Sequence, residues 1–459
     1  MTRSPWNALA ATLLLAASPV AFQEETPKVD AARRELNAAT FDAMWTMVRD
    51  THWDPAAVGA PWDAARAEFR PRAEASATDD ALRAVLRDTL ERLGQSHFGI
   101  IPRELNEGTA EAPAQREGRS GATLAFLPKD GGTGFEAIVV SVAPASPAAG
   151  AGIVPGDRVL AIDGRDPTAR VPAGTGRERE RRGSLAEALA TGEPGASTTW
   201  RIEPFGGEAR DATFTFASDD RPHAKFGNLP PLPTELTARE LGPEEATRLG
   251  ARDRRIGLVS FSVWLIPVAR PFDVAVDRFR TADGIVLDLR GNPGGIGAMS
   301  MGIAGHFTPG AEPLGTMRTR DSEITFTTNP RRSSTDGKAV EPYAGPLAIL
   351  VDEGSASTTE IFAGGLQFLG RAKVFGSRTA GAALPSAAEP LPNGDVFLHA
   401  FADYRLPDGR ALEGGGVAPD NERPYDRADF ARQGDPALAE AVRWIASQRR
   451  EAPAKEPNP

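Results

Sequence analysis

A buried strand that runs directly into a helix lies between residues 346 and 369. The run Pro346-Leu-Ala-Ile-Leu-Val351 is short and apolar, which is typical of a strand covered by neighbouring layers. Further on, apolar residues recur at helical spacing: Ile361, Phe362, Leu366 and Leu369. A strand followed at once by a helix is the repeating unit of an α/β layer, so this stretch constrains the fold class.

The same alternation extends from about residue 255 to 450. Strands are predicted at Ile256–Ser260, Gly284–Leu289, Leu347–Val351 and Lys373–Phe375. Helices are predicted at 270–280, 298–306, 357–369 and 435–447. We therefore expect an α/β core over residues 219–450, followed by a disordered tail at 451–459 that is rich in Pro, Lys and Glu.

Residues 28–112 are predicted to form a helical segment. The first helix spaces its apolar residues at i, i+3, i+4 and i+7: Phe41, Met44, Trp45 and Val48. A second helix is predicted to begin at a cap near Asp79 and to end at Gly94. The dipeptide Ser96-His97 follows immediately after that end.

Residues 113–218 change to short apolar stretches separated by turns, which predicts a small β-module. Ser146 to Gly164 resembles the PDZ segment in which a short helix leads through Gly-Asp into a strand. By that resemblance a peptide C-terminus would bind at the loop that holds Gly121, Leu124 and Phe126. The alternative is a β-module without a ligand. One short helix is predicted at Ser184–Ala190, and the mixed-charge run Arg177–Arg182 before it is predicted to be a solvated loop.

The first 23 residues have the pattern of a secretory signal peptide, with a basic start, a short apolar region and a small-residue exit. No later apolar run is long enough for a transmembrane helix. The sequence thus predicts an exported, soluble protein, periplasmic or extracellular. Among 459 residues there is no Cys, which excludes disulfides, thiolate metal sites and a Cys nucleophile, and the formal net charge of −10 argues against a nucleic-acid partner.

Hydroxyl residues cluster where the strand at 346–351 turns into its helix: Ser355, Ser357, Thr358 and Thr359. They could cap the free amides of the first helical turn, or one of them could be a nucleophile at the positive end of the helix dipole. A second strand, at 284–289, ends in the glycine-rich turn Gly291-Asn-Pro-Gly-Gly295. The backbone amides of such a turn could form an oxyanion hole, although a plain tight turn explains the glycines equally well.

Three motifs in order carry a family resemblance: Asp288-Leu-Arg-Gly-Asn-Pro-Gly-Gly295, Val351-Asp-Glu-Gly-Ser-Ala-Ser-Thr-Thr-Glu-Ile361 and Glu413-Gly-Gly-Gly-Val-Ala-Pro-Asp420. Together they resemble the C-terminal processing, or tail-specific, serine peptidases. The resemblance implies a mixed α/β fold with a ClpP/crotonase-like core, no cofactor, and polypeptide substrates recognised through free C-termini. It places the nucleophile at Ser357, with Thr358, Gly294 and Gly295 at the oxyanion hole.

One residue departs from the main branch of that family. The branch uses a lysine base, and Ala382 occupies the lysine's place, while Lys373 does not fit the motif. The chain is instead similar to the tricorn-protease branch, in which a Ser-His pair and a downstream Glu complete a tetrad. That resemblance implies His97 as base, oriented by Ser96 and Glu413. The alternative hypothesis is a non-catalytic peptide- or ligand-binding protein on the same fold.

The remaining polar candidates are interpreted as structural. No pair of the other histidines has metal-ligand spacing, so no metal site is predicted; these are His52, His223, His306 and His399. Glu360 follows Ser357 by three positions, which predicts a helix cap rather than catalysis.

Overall fold

The structure is a computed structural model, and it describes residues 29–448 except 107–116, 130, 132, 175–176 and 423. The predicted signal peptide and the predicted C-terminal tail lie outside the described residues. Within these residues no helix is both long and apolar enough to cross a bilayer.

Three helices form the N-terminal part: α1 Ala31–Thr51, α2 Ala60–Glu74 and α3 Asp79–Leu90, followed by a 3₁₀ turn at Glu91–Leu93. The Asp30 and Thr78 side chains cap α1 and α3 by accepting backbone N–H bonds at their first turns. The cap of α3 is therefore one residue before the predicted Asp79. The apolar faces of the helices share one core with Ile100 and Phe397, so this part packs on a sheet rather than standing alone.

That sheet has three strands: β1 Gly99–Ile101, β20 Val396–Ala400 and β19 Ser386–Pro390, with β20 in the centre. A short helix, α4 Arg103–Asn106, follows β1. Because β20 and β19 come from the far end of the chain, the sheet joins the N-terminal helices to the core.

The β-module contains a five-stranded antiparallel sheet in the order β3 Ala122–Pro128, β4 Phe135–Val142, β5 Arg158–Ile162, β7 Ser197–Glu203 and β8 Arg210–Thr215. Two helices accompany it, α5 Pro147–Gly150 and α6 Arg177–Ala190. A small second sheet comprises β2 Gly118–Arg119, β6 Thr191–Gly192 and β9 Ala217–Ser218.

The prediction of a solvated loop at Arg177–Arg182 is wrong. These residues form the first turns of α6, and the Arg179 and Arg182 side chains are buried. Arg179 donates to a backbone carbonyl of the core, and Arg182 pairs with a carboxylate there. Such partners make burial of a guanidinium possible, and they cannot be seen in the local sequence pattern.

The core sheet has the order β12 Leu236–Glu240, β13 Ile256–Phe261, β14 Gly284–Asp288, β17 Leu347–Val351 and β18 Lys373–Gly376. All pairs are parallel except that of β12 at the edge. Alternate residues of the strands face opposite layers. Helices α8 Ile266–Phe279, α9 Met299–Ala304 and α10 Thr358–Phe368 cover one face, and α7 Pro243–Arg248, α11 Arg427–Gln433 and α12 Pro436–Ser447 cover the other.

Two further strand groups flank the core. Strand β15 Pro313–Arg318 lies between β16 Glu323–Thr327 and β21 Asp403–Arg405, and β10 His223–Ala224 pairs with β11 Leu232–Pro233. The parallel strands β14, β17 and β18 end at the same edge of the sheet, because the carboxyl ends of parallel strands lie together. The loops that follow them, which hold the predicted site residues, are therefore neighbours.

Candidate active site

Ser357 lies between β17 and α10 with an unusual backbone conformation. It has φ 56° and ψ −119°, a region that a residue with a Cβ rarely adopts and that costs roughly 1–3 kcal/mol. Two contacts hold it there: its amide donates to the Ala382 carbonyl at 2.8 Å and to Glu360 Oε2 at 3.1 Å. Strain of this kind at a strand-to-helix turn presents the half-buried side chain away from the backbone.

The hydroxyl groups around Ser357 have different roles. Ser355 Oγ donates to the Leu289 carbonyl, Thr358 Oγ1 to the Gly295 carbonyl and Thr359 Oγ1 to the Asn292 carbonyl, at 2.8, 2.9 and 3.0 Å. All three are buried. Among the described residues, the Ser357 hydroxyl donates to no protein group. The hydroxyls of Ser355, Thr358 and Thr359 therefore connect the segment after β17 to the loop after β14. Of these four hydroxyls, only that of Ser357 is free to donate its proton.

The glycine turn after β14 lies directly against Ser357. A Cβ on Gly294 would approach the Ser357 Cβ to 2.6 Å and the Thr358 amide nitrogen to 2.9 Å, so only glycine fits at φ 96°. The Gly294 amide, which is predicted for the oxyanion hole, donates to Asn292 Oδ1 at 3.0 Å. In the part of the chain described here, the amides of Gly295 and Thr358 have no hydrogen-bond partner.

Ser96, His97 and Glu413 form one hydrogen-bonded chain. Glu413 accepts from the Ser96 amide through Oε1 and from the Ser96 hydroxyl through Oε2, both at 2.8 Å. The Ser96 hydroxyl lies 2.8 Å from His97 Nδ1. Since the hydroxyl has one proton and gives it to Glu413, it accepts from Nδ1–H. This tautomer leaves His97 Nε2 as an acceptor.

Two consecutive alanines connect this chain to Ser357. The Ala382 carbonyl accepts the Ser357 amide, and the Ala383 amide donates to Glu413 Oε2 at 3.1 Å. The structure thereby brings the four predicted residues to one place, although no hydrogen bond between Ser357 and His97 is present among the described residues.

The surroundings keep His97 uncharged. Burial and the guanidinium of Arg177 lower its pKa to about 4. Burial raises the pKa of the Glu413 carboxyl, against the opposing effect of its hydrogen bonds to Ser96. A neutral imidazole at ordinary pH is the form that a general base requires.

Glu360 does more than cap a helix. It is fully buried and accepts from the Thr379 hydroxyl and from the Gly381 and Ala382 amides, at 2.5, 2.8 and 3.0 Å, besides the Ser357 amide. Burial raises its pKa to about 7. The predicted cap contact is present, and the carboxylate also joins the Ser357 turn to the loop at 379–382. Sequence reasoning assigned no role to Thr379.

Helix α6 of the β-module lies over the loops of the site. Arg179 donates to the carbonyls of Thr379, Gly414 and Gly415 at 2.9, 2.7 and 3.1 Å. Arg182 pairs with Glu353 in the loop that leads to Ser357, and Arg181 pairs with Glu91 before Ser96. These arginines were also missed, because mixed charge usually means solvent exposure.

Among the residues that the structure describes, no lysine takes the place of the one absent from the main branch. Ala382 has an apolar methyl at that position and is buried. Lys373 begins β18, whereas the site lies at the other end of that strand, and its ammonium lies 5.9 Å from the Trp444 ring centroid. Lys373 therefore stays outside the site, as predicted.

The predicted peptide-binding residues lie on or beside β3, an edge strand of its sheet. Leu124 and Phe126 are buried in the core of the β-module, and Gly121 has φ 78° against Ser146. In the described ranges no group of three or more His, Asp or Glu side chains could hold a metal ion. His52, His306 and His399 instead contact Gln95, Asp273 and Thr51.

Three segments of the chain match known domains. Residues 255–423 match peptidase family S41, residues 34–91 match the tricorn protease C1 domain, and residues 138–171 match the PDZ domain. The chain is 27% identical over 385 residues to the chloroplastic carboxyl-terminal-processing peptidase 3 of Arabidopsis thaliana, covering 83% of this chain and 68% of that protein.

A tricorn protease homologue of Streptomyces coelicolor is 28% identical over 422 residues, covering 88% of this chain but 32% of that protein. The solved structure of a photosystem II D1 C-terminal processing protease superposes with a TM-score of 0.54 at 19% identity, covering 89% of this chain and 97% of that one. This last likeness supports the fold. The fold and the sequence matches together define a hydrolase of the serine peptidase class. Over residues 255–423 the chain is similar to peptidase family S41, and the relatives that it matches include carboxyl-terminal-processing peptidases.

Proposed function

We propose that the chain is an endopeptidase that cleaves through an acyl-enzyme on Ser357, with His97 as base. The observation that carries the proposal is the hydrogen-bonded chain from Glu413 through Ser96 to His97, joined through Ala383 and Ala382 to the Ser357 turn. In the main branch a lysine would supply the base. Here Ala382 stands in its place, and the imidazole supplies the base instead.

The proposed reaction has an acylation step and a deacylation step, and His97 transfers the proton in both. Ser357 Oγ attacks the scissile carbonyl carbon while His97 Nε2 takes the hydroxyl proton, and the carbonyl oxygen becomes an oxyanion. The Gly295 and Thr358 amides donate to that oxyanion at the positive end of α10. The C–N bond then breaks as His97 returns the proton to the leaving amine. Water, activated by the same imidazole, hydrolyses the ester and restores the Ser357 hydroxyl.

Unfolded or C-terminally exposed polypeptides are the proposed substrates. Support comes from relatives named as carboxyl-terminal-processing peptidases and from the PDZ match at residues 138–171. Strand β3 is at the edge of its sheet, where an extended peptide could pair, and Gly121 directly precedes it. Export to the periplasm or beyond is part of the proposal and depends on residues 1–23.

A fluorophosphonate probe tests the mechanism, because it labels a serine only where the hydroxyl is activated. We expect labelling of the parent protein and none of Ser357→Ala, with unfolding temperatures within a few degrees of each other. Ser355→Ala is the matched control: its hydroxyl already donates to Leu289, so labelling should persist.

Labelling lost in Ser355→Ala but kept in Ser357→Ala would show that the nucleophile is assigned to the wrong serine. No labelling of the parent protein, with intact folding, would favour the alternative of a non-catalytic peptide- or ligand-binding protein.

A further inference from the structure

A cavity of about 600 Å³ lies between three parts of the fold. The end of α1 contributes Met47, Asp50 and Thr51, and the turn between β15 and β16 contributes residues 319–321. The hairpin of β19 and β20 forms the third wall. None of the roles described above uses this cavity.

The hairpin wall has a regular face. Ala387 on β19 pairs with His399 on β20, so these two side chains point to the same side of the sheet. Glu389 lies two residues further along β19, and Phe401 directly follows β20. All four residues line the cavity. The wall therefore combines apolar surface with an imidazole and a carboxylate.

The imidazole of His399 presents an acceptor. Thr51 Oγ1 donates its only proton to the Met47 carbonyl at 2.7 Å, so it accepts from His399 Nδ1–H at 3.2 Å. Nε2 is then unprotonated, and it has no hydrogen-bond partner among the described residues. The side chain is only 4% exposed, and burial lowers its pKa, which keeps the ring neutral. Nε2 itself is accessible from the cavity, and a donor in the cavity can satisfy its lone pair.

The charges around the cavity point to the same kind of ligand. Asp321 and Glu389 line it, and in the described chain neither forms an ion pair. Arg320 is the cation of the lining, but its Nη2 is bound to the carbonyls of Arg49 and His52 at the end of α1. Asp50 also lines the cavity and pairs with Arg49. The lining has three carboxylates against one guanidinium, and two of them, Asp321 and Glu389, are solvent-exposed. This excess of negative charge and the unpartnered imidazole nitrogen together favour a cationic donor.

We propose that this cavity binds a lysine or arginine side chain of the polypeptide substrate. The proposal rests on the peptidase function proposed above. The ammonium or guanidinium group donates to His399 Nε2 and to the carboxylates of Asp321 and Glu389. The alkyl stem packs on Met47 and Phe401, as long basic side chains do on apolar surface.

The register of β1 and β20 relates the cavity to the segment that carries His97. Gly99 on β1 pairs with Leu398 on β20. The next residue of β20, His399, therefore lies beside Phe98, which directly follows His97. In this proposal the substrate chain therefore runs from Ser357 along this wall, with a basic residue at a fixed distance from the cleaved bond in the cavity. The enzyme would then favour substrates with a basic residue at that position.

Binding can be measured without cleavage by using the full-length Ser357→Ala protein. The probes are acetylated, fluorescent peptides that place lysine or its uncharged analogue norleucine at successive positions, and anisotropy reports affinity. We expect one lysine position to bind about three- to tenfold tighter than norleucine at low salt. Asp321→Asn/Glu389→Gln should remove that preference while leaving the norleucine peptides unchanged.

The matched control is Asp336→Asn/Glu341→Gln, which changes the net charge equally at two exposed carboxylates outside the cavity. Equal affinities for lysine and norleucine at every position would overturn the proposal. A loss of preference in the control as large as in the cavity variant would also overturn it, since net charge would then explain the effect. Fluorophosphonate labelling of the parent protein reports Ser357 separately, so failure of the subsite is distinguishable from failure of the peptidase.

Discussion

At the scale of single residues, the site depends on one close backbone approach. Gly294 lies against the strained Ser357 turn, where a Cβ would meet the Ser357 Cβ at 2.6 Å. Only small movements separate a productive nucleophile from a misplaced one, since a shift of about 1 Å can cost about a hundredfold in rate. Glycine is therefore required at position 294 on steric grounds, apart from any role of this turn in the oxyanion hole.

Gly294→Ala should displace the Ser357 turn and slow fluorophosphonate labelling by about a hundredfold. The control is Gly302→Ala in α9, where an added Cβ would meet no atom within 4 Å. Because alanine favours a helix, the control should keep its labelling rate and unfold at an equal or slightly higher temperature. Equal labelling rates for both variants would contradict the steric argument.

The pH dependence of the reaction should report His97. Its pKa is lowered to about 4 by burial first and by Arg177 second, so the imidazole is neutral above that pH. As pH falls through about 4, His97 takes up a proton and kcat/KM should fall with it. This is well below the ordinary histidine value of about 6.5, which the sequence alone would suggest.

Arg177→Gln tests the electrostatic part of that shift. Removing the nearby positive charge makes protonation easier, so the acid limb of the kcat/KM profile should move to higher pH. Arg201→Gln, an exposed arginine on β7 that pairs with Asp211, is the control and should leave the limb in place. An unmoved limb in Arg177→Gln would mean that another group limits the rate in acid.

At the scale of the element, α6 connects the β-module to the site. The module supplies no residue of the proposed tetrad, which by itself would leave the covalent chemistry intact when the module is removed. The structure argues otherwise. Arg179 binds carbonyls in the loop at 379–382 and in the loop that follows Glu413, which are the loops that hold Ser357 and orient His97.

Arg179→Ala should therefore reduce the labelling rate of Ser357 by about tenfold or more, with only a small change in unfolding temperature. The side chain donates to three carbonyls, and a lysine cannot reproduce that fork, so Arg179→Lys should be nearly as slow. Arg201→Ala in the same module is the control and should label normally. Full labelling of Arg179→Ala would show that α6 is only packed against the site.

At the scale of the whole molecule, a buried ion pair joins the two ends of the chain. Arg83 on α3 donates to both oxygens of Asp395 at 2.9 and 2.6 Å, and the two side chains are 7% and 0% exposed. Asp395 directly precedes β20, the strand that pairs with β1 after His97. The pair therefore helps to dock the helices that carry His97 onto the sheet.

Arg83→Met should lower the free energy of unfolding by about 3–5 kcal/mol, because Asp395 is left buried without its partner. Arg83→Met/Asp395→Asn removes the lone charge and should recover part of that loss. Urea unfolding followed by tryptophan fluorescence measures both. If the single and the double variant are equally destabilised, the cost arises from packing and not from the unpaired carboxylate.

The local sequence pattern was sufficient to predict most strands and helices of the core. Predicted strands such as Leu347–Val351 are confirmed, since short buried runs and helical spacing are properties of neighbouring residues. The motif around Ser357 and the Ser-His pair could likewise be found from residue order. The exceptions are informative: helix α6 begins at Arg177, seven residues before the predicted Ser184, because its buried arginines are stabilised by acceptors far away in the chain.

The sequence by itself determined the fold class, the order of the three parts and the peptidase motifs, because each depends on residues close together in the chain. Only the tertiary structure decided which groups meet. It joined Glu413 to Ser96, used the Gly294 amide internally, buried Glu360 among four donors and placed α6 over the loops. Hydrogen bonds and burial between distant segments depend on packing in three dimensions, which no local pattern encodes.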